Sequence, residues 1–306
     1  MREPLVIDTV MHGVTGITAA FVLRGEKTAL VETGPKSSVD HVLTGLEEAG
    51  VDALDWIVVT HIHLDHAGAA GTIAARFPEA TVAVHGLGAP HLVDPSKLWS
   101  SASRIYGDQM DRLWGGIDPL PAERIRIVED GDKIDLGGRS LQAVETPGHA
   151  GHHHAFVDDE TGIVFAGDAI GVRLPDVGIV RPATPPPEFG LELAIASIER
   201  IRGLGAKELW PTHFGGTSRG FNGLDVDGAC DAGIESLRQW AGWVRGGRER
   251  SRDLDDVSRY VEDRARTAME AALDPAGIAR LEQTTSYRMN TMGYMRYFDK
   301  LEQTTS

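Results

Sequence analysis

The feature that most constrains this chain is a group of four ligand-type side chains packed into six residues. They are His61, His63, Asp65 and His66, and they follow the apolar run Trp56-Ile57-Val58-Val59. An apolar run of this length with polar residues on both sides is typical of a buried strand, and the small apolar residues after the group favour a helix. Imidazole and carboxylate together suit zinc, iron or manganese. The sequence therefore predicts a metal site on a tight strand-to-helix connection.

Three later segments each place one more ligand-type residue just past an apolar run. These residues are His149, Asp168 and His213. In layered α/β proteins, sites form where several strands end at one edge of a sheet. The four segments together offer seven candidate metal ligands: His61, His63, Asp65, His66, His149, Asp168 and His213.

This order of motifs, HxHxDH followed by Gly-His, Gly-Asp and a final His, resembles the metallo-β-lactamase-fold hydrolases over roughly residues 5–216. Asp65, His66 and Asp168 are all present, so the chain looks closer to the glyoxalase-II-like thioesterases and lactonases than to true β-lactamases. The latter commonly carry Cys at the position of Asp168. The resemblance implies an α/β fold in which two sheets lie between helical layers, a four-layer αββα sandwich.

The resemblance also implies two divalent metal ions, with zinc expected first and iron or manganese as alternatives. In the resembled enzymes, the positions of His61, His63 and His149 hold one metal, and that of Asp168 bridges to the second. The second metal lies on the remaining positions: Asp65, His66 and His213. A hydroxide bridging the two metals would attack a thioester, lactone or related ester, with Asp65 and Asp168 as the catalytic residues.

Composition narrows the choice of partner and compartment. The 306 residues carry a formal net charge of −15, which argues against a nucleic-acid partner because phosphate backbones need basic surfaces. A small acyl compound is the expected substrate. The single cysteine, Cys230, excludes an internal disulfide framework and fits a reducing cytoplasm. Neither a signal peptide nor an apolar run of membrane-spanning length is expected.

The residue pattern becomes helical after about Asn222, and this predicts a catalytic domain over 1–222 and a C-terminal helical region over 223–306. The aromatic and Met side chains of that region predict that it packs over or beside the metal edge. A homodimer contact there stays open. Residues 94–116 contain Trp99, Tyr106 and Trp114, which form either one wall of a substrate pocket or ordinary packing on a helix.

Two features leave alternatives open. Related enzymes usually carry Asp where Glu32 stands, so the role of this residue beside the metals is in doubt, and one of His152, His153 and His154 is expected near the metals without being a ligand.

The competing functions are a mononuclear iron sulfur dioxygenase-like enzyme, a phosphodiesterase, and a binding protein that retains an old metal site. A metal count would separate them.

Overall fold

Two mixed β-sheets form the centre of the protein in a computed structural model that describes residues 3–174, 177–215 and 224–305. The strands of the first sheet follow one another across it in chain order: β1 (Leu5–Asp8), β2 (Ala19–Arg24), β3 (Thr28–Val31), β4 (Trp56–Val58), β5 (Thr81–His85) and β6 (Ile125–Val128). Strands β1 to β3 are antiparallel, and β3 to β6 are parallel.

The second sheet has the order β11-β10-β9-β8-β7. Its strands are β7 (Lys133–Asp135), β8 (Ser140–Glu145), β9 (His154–Asp158), β10 (Ile163–Gly167) and β11 (Glu208–Pro211). The pair β10 and β11 is parallel, and the other neighbouring pairs are antiparallel. The strands predicted from apolar runs are therefore present.

Helices cover the outer faces of both sheets. In chain order they are α1 (Val39–Glu48), α2 (Leu64–Ala67), α3 (Ala70–Arg76), α4 (Ala89–Val93), α5 (Ser96–Tyr106), α6 (Met110–Trp114), α7 (Leu191–Arg202), α8 (Val226–Arg248), α9 (Leu254–Glu270), α10 (Pro275–Glu282) and α11 (Tyr287–Thr305). The segment 94–116, which contains Trp99, Tyr106 and Trp114, forms α5 and α6.

Strand alternation sorts the apolar side chains into layers. In β2, Phe21 and Leu23 belong to the core between the sheets, where Phe165 of the second sheet also lies, whereas Ala20 and Val22 belong to the core beneath α1. A third core lies on the far face of the second sheet, under α7 and α8. The protein is therefore the expected four-layer αββα sandwich with C-terminal helices.

The C-terminal helices share this third core with the sandwich. Ile234 and Leu237 of α8 and Tyr294 of α11 are buried in the same cluster as Val164 of β10 and Ile198 of α7. The predicted boundary at 222/223 lies outside the described residues, and the division into two domains stays a prediction. None of the helices in the described ranges has the length and apolar character needed to cross a membrane.

Helix α11 approaches the sandwich at a glycine, and this contact makes a prediction about stability. A Cβ on Gly293 would lie 1.9 Å from the carbonyl oxygen of Thr184, whereas a Cβ on Gly242 of α8 would meet no atom within 4 Å. Gly293→Ala is expected to destabilise the fold by about 1–3 kcal/mol because the helix must move outward. Gly242→Ala should be neutral or stabilising by roughly 0.5–1 kcal/mol.

Chemical denaturation of both variants measures these changes in the free energy of unfolding. Equal stabilities of the two variants would show that α11 does not pack against Thr184 as described.

Candidate metal centre

The ligand-rich connection between β4 and α2 is held in place by backbone hydrogen bonds. The turn is closed by His66 N–H donating to the His63 carbonyl at 3.0 Å, and the Thr33 N–H donates to the His66 carbonyl at 2.8 Å. The Thr60 carbonyl accepts from the His154 N–H of the second sheet at 2.8 Å. The connection is therefore fixed to the ends of strands from both sheets, at one edge of the sandwich.

Three imidazole nitrogens converge at this edge. His149 Nε2 lies 2.8 Å from His63 Nδ1 and 3.1 Å from His61 Nε2, and the latter two atoms are 2.9 Å apart. His61 and His149 are buried. Three such nitrogens at these separations form the arrangement that a tetrahedral metal site requires.

A second group of donors lies next to the first. Asp65 Oδ2 is 3.4 Å from His213 Nε2 and 3.7 Å from His66 Nε2. Asp168 faces both groups. Its Oδ1 is 3.4 Å from His66 Nε2 and 3.6 Å from His213 Nε2, whereas its Oδ2 is 3.6 Å from His149 Nε2. The structure therefore brings all seven sequence-predicted residues together, with one carboxylate between two triads.

The backbone at Asp168 depends on a glycine and on His153. Gly167 has φ +52°, and a Cβ there would lie 2.5 Å from His153 Nε2, so the motif needs glycine. His153 Nε2 accepts from the Asp168 N–H at 3.1 Å, which leaves His153 Nδ1 to donate to Thr146 Oγ1 at 2.7 Å. His153 is thus the member of the His152–His154 run that orients a candidate ligand without facing the centre.

Hydrogen bonds on the side of each ring that points away from the centre decide which imidazole nitrogen is left to face the centre. The Nδ1 of His149 lies 2.9 Å from the Ala183 carbonyl oxygen, and that of His213 lies 2.9 Å from the Ile17 carbonyl oxygen. A carbonyl only accepts, so each Nδ1 carries a proton and each Nε2 is the nitrogen left to face the centre. Such outer partners fix both the tautomer and the direction of a metal-binding histidine.

Glu32 acts on His61 through Thr60 and lies beside His66. It is fully buried, has φ +67°, and its Oε1 accepts from Thr60 Oγ1 and from Thr212 Oγ1, the latter at 3.2 Å. The same oxygen lies 3.4 Å from His66 Nδ1, and Thr60 Oγ1 is 3.1 Å from His61 Nδ1. The extra methylene that Glu has relative to Asp extends the carboxylate to these atoms, and Glu32 lies directly beside the candidate ligands.

The electrostatics of the metal-free chain suit metal binding. Burial, helped by neighbouring imidazoles, holds the pKa of His61 and of His63 well below the usual range, so both are neutral at pH 7. Burial alone would raise the pKa of Asp168, but His66 and His213 outweigh it and hold that pKa well below its usual range. Asp168 and Asp65 outweigh burial at His66 and His213 and raise the pKa of both, so these two rings hold protons that a bound cation would displace.

The candidate ligand atoms also fit two bound cations better than they fit a hydrogen-bond network without metal. Among the described residues, Asp168 Oδ1 and both nitrogens of His66 are buried without a hydrogen-bond partner. Unpaired polar atoms are costly in a protein interior. The set of five imidazoles and two carboxylates matches zinc, iron or manganese.

A cavity of about 400 Å³ opens onto these atoms. Its wall includes Leu98, Ile105 and Tyr106 of α5 and Trp114 of α6, and Met289 of α11 closes the far side. The predicted wall is therefore confirmed for Tyr106 and Trp114. Trp99 packs instead against the core under α7 and α8. The C-terminal helices do narrow the metal edge, as their aromatic and Met content predicts.

A third cluster, formed by His85, Glu145 and His154, lies outside this centre. His85 Nδ1 accepts from the Leu87 N–H at 3.0 Å, so its proton lies on Nε2, which is 3.3 Å from Glu145 Oε1. A nitrogen that carries a proton offers no lone pair to a cation. The His85–Glu145 contact is therefore a hydrogen bond that is already made, and the cluster is not a prepared metal site.

Sequence comparison agrees with this geometry. The model of the Metallo-beta-lactamase superfamily matches residues 12–213, about two thirds of the chain. The chain belongs to this superfamily. It is a hydrolase-like member with His/Asp metal-site clusters.

Several relatives are similar over part of their length. A metallo-beta-lactamase fold-containing protein of Sulfurisphaera tokodaii, ST1585, is 32% identical over 175 residues, which are 56% of this chain and 62% of that protein. A hydroxyacylglutathione hydrolase of Aeromonas hydrophila is 30% identical over 117 residues, 38% of this chain and 34% of that enzyme. The chain thus matches between about a third and somewhat under two thirds of the length of these two relatives.

Two solved structures show the same fold. The structure of the archaeal ST1585 protein superposes with a TM-score of 0.62 at 28% identity and covers 78% of this chain and 86% of that one. A metallo-beta-lactamase family protein of Thermus thermophilus has a TM-score of 0.68 at 19% identity and covers 98% of this chain and 93% of that one. The second match extends over almost the whole chain and therefore includes the C-terminal helices in the shared fold.

The position of Asp168 makes a prediction about metal content. Asp168→Asn removes the charge that faces both triads, so we expect the variant to bind fewer than two metal ions and to lose turnover on the order of a hundredfold or more. Elemental analysis after dialysis and circular dichroism measure metal content and fold. Asp52→Asn, at an exposed position, is the control. Two ions and near-normal turnover in Asp168→Asn would contradict the bridging position.

Glu32 makes a second prediction. Asp tolerates positive φ at least as well as Glu, so Glu32→Asp adds no backbone strain but withdraws the carboxylate from His66, Thr60 and Thr212. We expect metal affinity to fall by about ten- to a hundredfold. Competition with a chromophoric chelator measures it, with exposed Glu48→Asp as the control. Unchanged affinity would show that the carboxylate does not orient the ligands.

Proposed function

We propose that the protein is a dinuclear metal-dependent hydrolase that cleaves a thioester, lactone or related ester of an apolar acyl compound. The observation that carries the proposal is the position of Asp168, whose two oxygens face two separate triads at the base of one cavity. An intact second triad favours two metals over the single iron of a sulfur dioxygenase-like enzyme.

Two divalent cations bound here would polarise the substrate carbonyl and supply hydroxide at neutral pH. Asp168 would hold the two triads in register, and the outer hydrogen bonds of His149 and His213 would keep their Nε2 atoms directed inward. Asp65 is the more open carboxylate, since its side chain is 17% exposed against 5% for Asp168. We assign to Asp65 the proton that water loses in forming hydroxide, which would then pass to the thiolate or alkoxide leaving group.

The cavity walls define the acyl group. Ile62, Leu64, Leu98, Ile105 and Met289 line it, and its size falls in the range of small-ligand sites. Lys97 and Glu188 are exposed lining residues, and Lys97 would meet a carboxylate or another anionic group of the substrate. An apolar wall with one cation and one anion among its exposed residues suits an acyl compound better than it suits a nucleic-acid backbone, which needs a basic surface.

Tyr106 lies in the same wall and has a hydroxyl to offer. Burial, with Asp65 nearby, raises the pKa of Tyr106, so the phenol stays protonated. The hydroxyl contacts Met289 Sδ at 3.6 Å, and a thioether is a weak acceptor. A substrate oxygen in the cavity would be a stronger acceptor, and Tyr106 is therefore placed to orient it.

The names of the relatives support a hydrolase and also supply a competitor. Hydroxyacylglutathione hydrolases recur among them at 25–30% identity. Coenzyme F420H(2) oxidases of two Methanothermobacter species are 29% identical over 172 residues, but only 37% of each oxidase is matched. The family alone therefore does not choose between hydrolysis and redox chemistry, and the bound metal does.

The test is a metal count on the purified chain followed by a substrate panel. We expect two metal ions per chain, and faster cleavage of thioesters and lactones with apolar acyl groups than of β-lactams, phosphodiesters or single-stranded RNA. Removal of the metal should abolish cleavage, and zinc or manganese should restore it. One iron per chain with sulfur-oxidising activity, no bound metal, or preferential phosphodiester cleavage would each overturn the proposal.

A further inference from the structure

The tautomer of His149 depends on the position of a single backbone carbonyl. The Ala183 oxygen lies 2.9 Å from His149 Nδ1, and because it can only accept, it holds the proton there. His149 Nε2 then faces His61 and His63 as a lone pair. Displacement of the Ala183 carbonyl would allow the ring to turn or to move its proton to Nε2, which would remove one donor from the centre.

The carbonyl belongs to the segment 181–184, which we call the Ala183 segment. On the side of the sandwich, Arg181 and Val172 exchange two backbone hydrogen bonds at 2.8 and 2.9 Å. The Arg181 side chain, however, points to the C-terminal helices. Its guanidinium lies 4.2 Å from the ring centre of Tyr287 and 5.5 Å from that of Trp240.

Asn290 of α11 binds the Ala183 segment on both sides of Ala183. Its Nδ2 donates to the Pro182 carbonyl at 2.8 Å, and its Oδ1 accepts from the Thr184 N–H at 3.0 Å. The main-chain carbonyl of Asn290 accepts from Thr184 Oγ1 at 3.2 Å, and Nδ2 also reaches Thr285 Oγ1 at 3.0 Å. One amide therefore holds the peptide units that flank Ala183.

The residue type and its burial make this contact hard to replace. Only an amide of this length offers a donor and an acceptor to the two flanking peptide groups at once. Asn290 is 0% exposed, so removing its side chain takes from two buried peptide groups the partner that they have in the interior, which is costly. Gly293, one turn along α11, permits the close approach because a Cβ there would meet the Thr184 carbonyl.

We propose that Asn290 is a positioning residue for the metal centre. By binding the Pro182 carbonyl and the Thr184 N–H, it sets the Ala183 carbonyl against His149 Nδ1 and so keeps His149 Nε2 available to a cation. The C-terminal helices thereby act on the centre through His149, in addition to lining the cavity. The inference rests on the proposed metal site, but it concerns hydrogen bonds made by this chain alone.

The test compares Asn290→Ala with Thr291→Val in the full chain. Thr291 is also 0% exposed on α11, and its Oγ1 has no hydrogen-bond partner among the described residues, so Thr291→Val perturbs the same helix without touching the Ala183 segment. Zinc affinity is measured by chelator competition. In the metal-free proteins, the His149 tautomer is read from imidazole nitrogen shifts by NMR.

We expect Asn290→Ala to weaken zinc binding at the triad of His61, His63 and His149 by about ten- to a hundredfold. The His149 tautomer should change from Nδ1–H alone to a mixture of Nδ1–H and Nε2–H. Thr291→Val should match the wild type in both measurements. Wild-type affinity and tautomer in folded Asn290→Ala, or equal losses in both variants, would overturn the proposal.

A second variant covers the case in which Asn290→Ala does not fold. Asn290→Ser keeps a polar side chain that is too short to bind the Pro182 carbonyl and the Thr184 N–H at once, so a smaller loss of zinc affinity and a change of tautomer in the same direction are expected. Unchanged values in Asn290→Ser would contradict the inference. A wild-type chain that binds no zinc would instead refute the proposed function, which keeps the two failures distinct.

Discussion

The imidazoles at this edge take a fixed tautomer where a group on their outer side accepts a proton from the ring. A neutral ring has one proton, and the group that accepts it decides which nitrogen remains bare. Carbonyl oxygens do this for His149 and His213. Thr60, held by the buried carboxylate of Glu32, does it for His61. The geometry of the centre therefore depends on groups that do not belong to it.

The fold supplies these outer groups because both sheets end at the same edge. Parallel strands bring the residues that follow β3 and β4 together, and the parallel pair β10 and β11 does the same for Asp168 and His213. The core between the sheets, built from residues such as Phe21 and Phe165, keeps the two edges in register. The imidazoles and carboxylates of the centre would repel their like neighbours or lose hydrogen bonds in a less tightly packed protein, and here they are held at fixed positions.

The ligand set could be predicted from the sequence because its signals are local. Four candidate ligands lie within six residues, and the other three follow apolar runs that end in short motifs. The structure places Asp168 between the two triads, and its bridging of two metals stays a prediction. The roles of Ala183 and Asn290 could not be predicted. Every residue has a backbone carbonyl, so the residue type does not show which carbonyl binds His149. Asn290 lies more than 100 residues from the segment it binds.

Two other differences have similar causes. Glu32 is a departure from the usual Asp whose effect depends on backbone geometry, here φ +67°, and on two threonines from other strands. The pocket wall was ambiguous because aromatic residues at helical spacing serve packing and binding equally well. In the structure all three pack in or against the core under α7 and α8, but only Tyr106 and Trp114 also line the cavity.

The central claim is that two cations bind to seven named side chains with Asp168 between them. Crystals of the metal-loaded chain, examined by anomalous scattering at the zinc edge, test it most directly. Two peaks about 3.5–4 Å apart are expected. One should lie among His61, His63 and His149, the other should lie among Asp65, His66 and His213, and Asp168 should contact both. A single peak, or a second peak away from these side chains, would contradict the account.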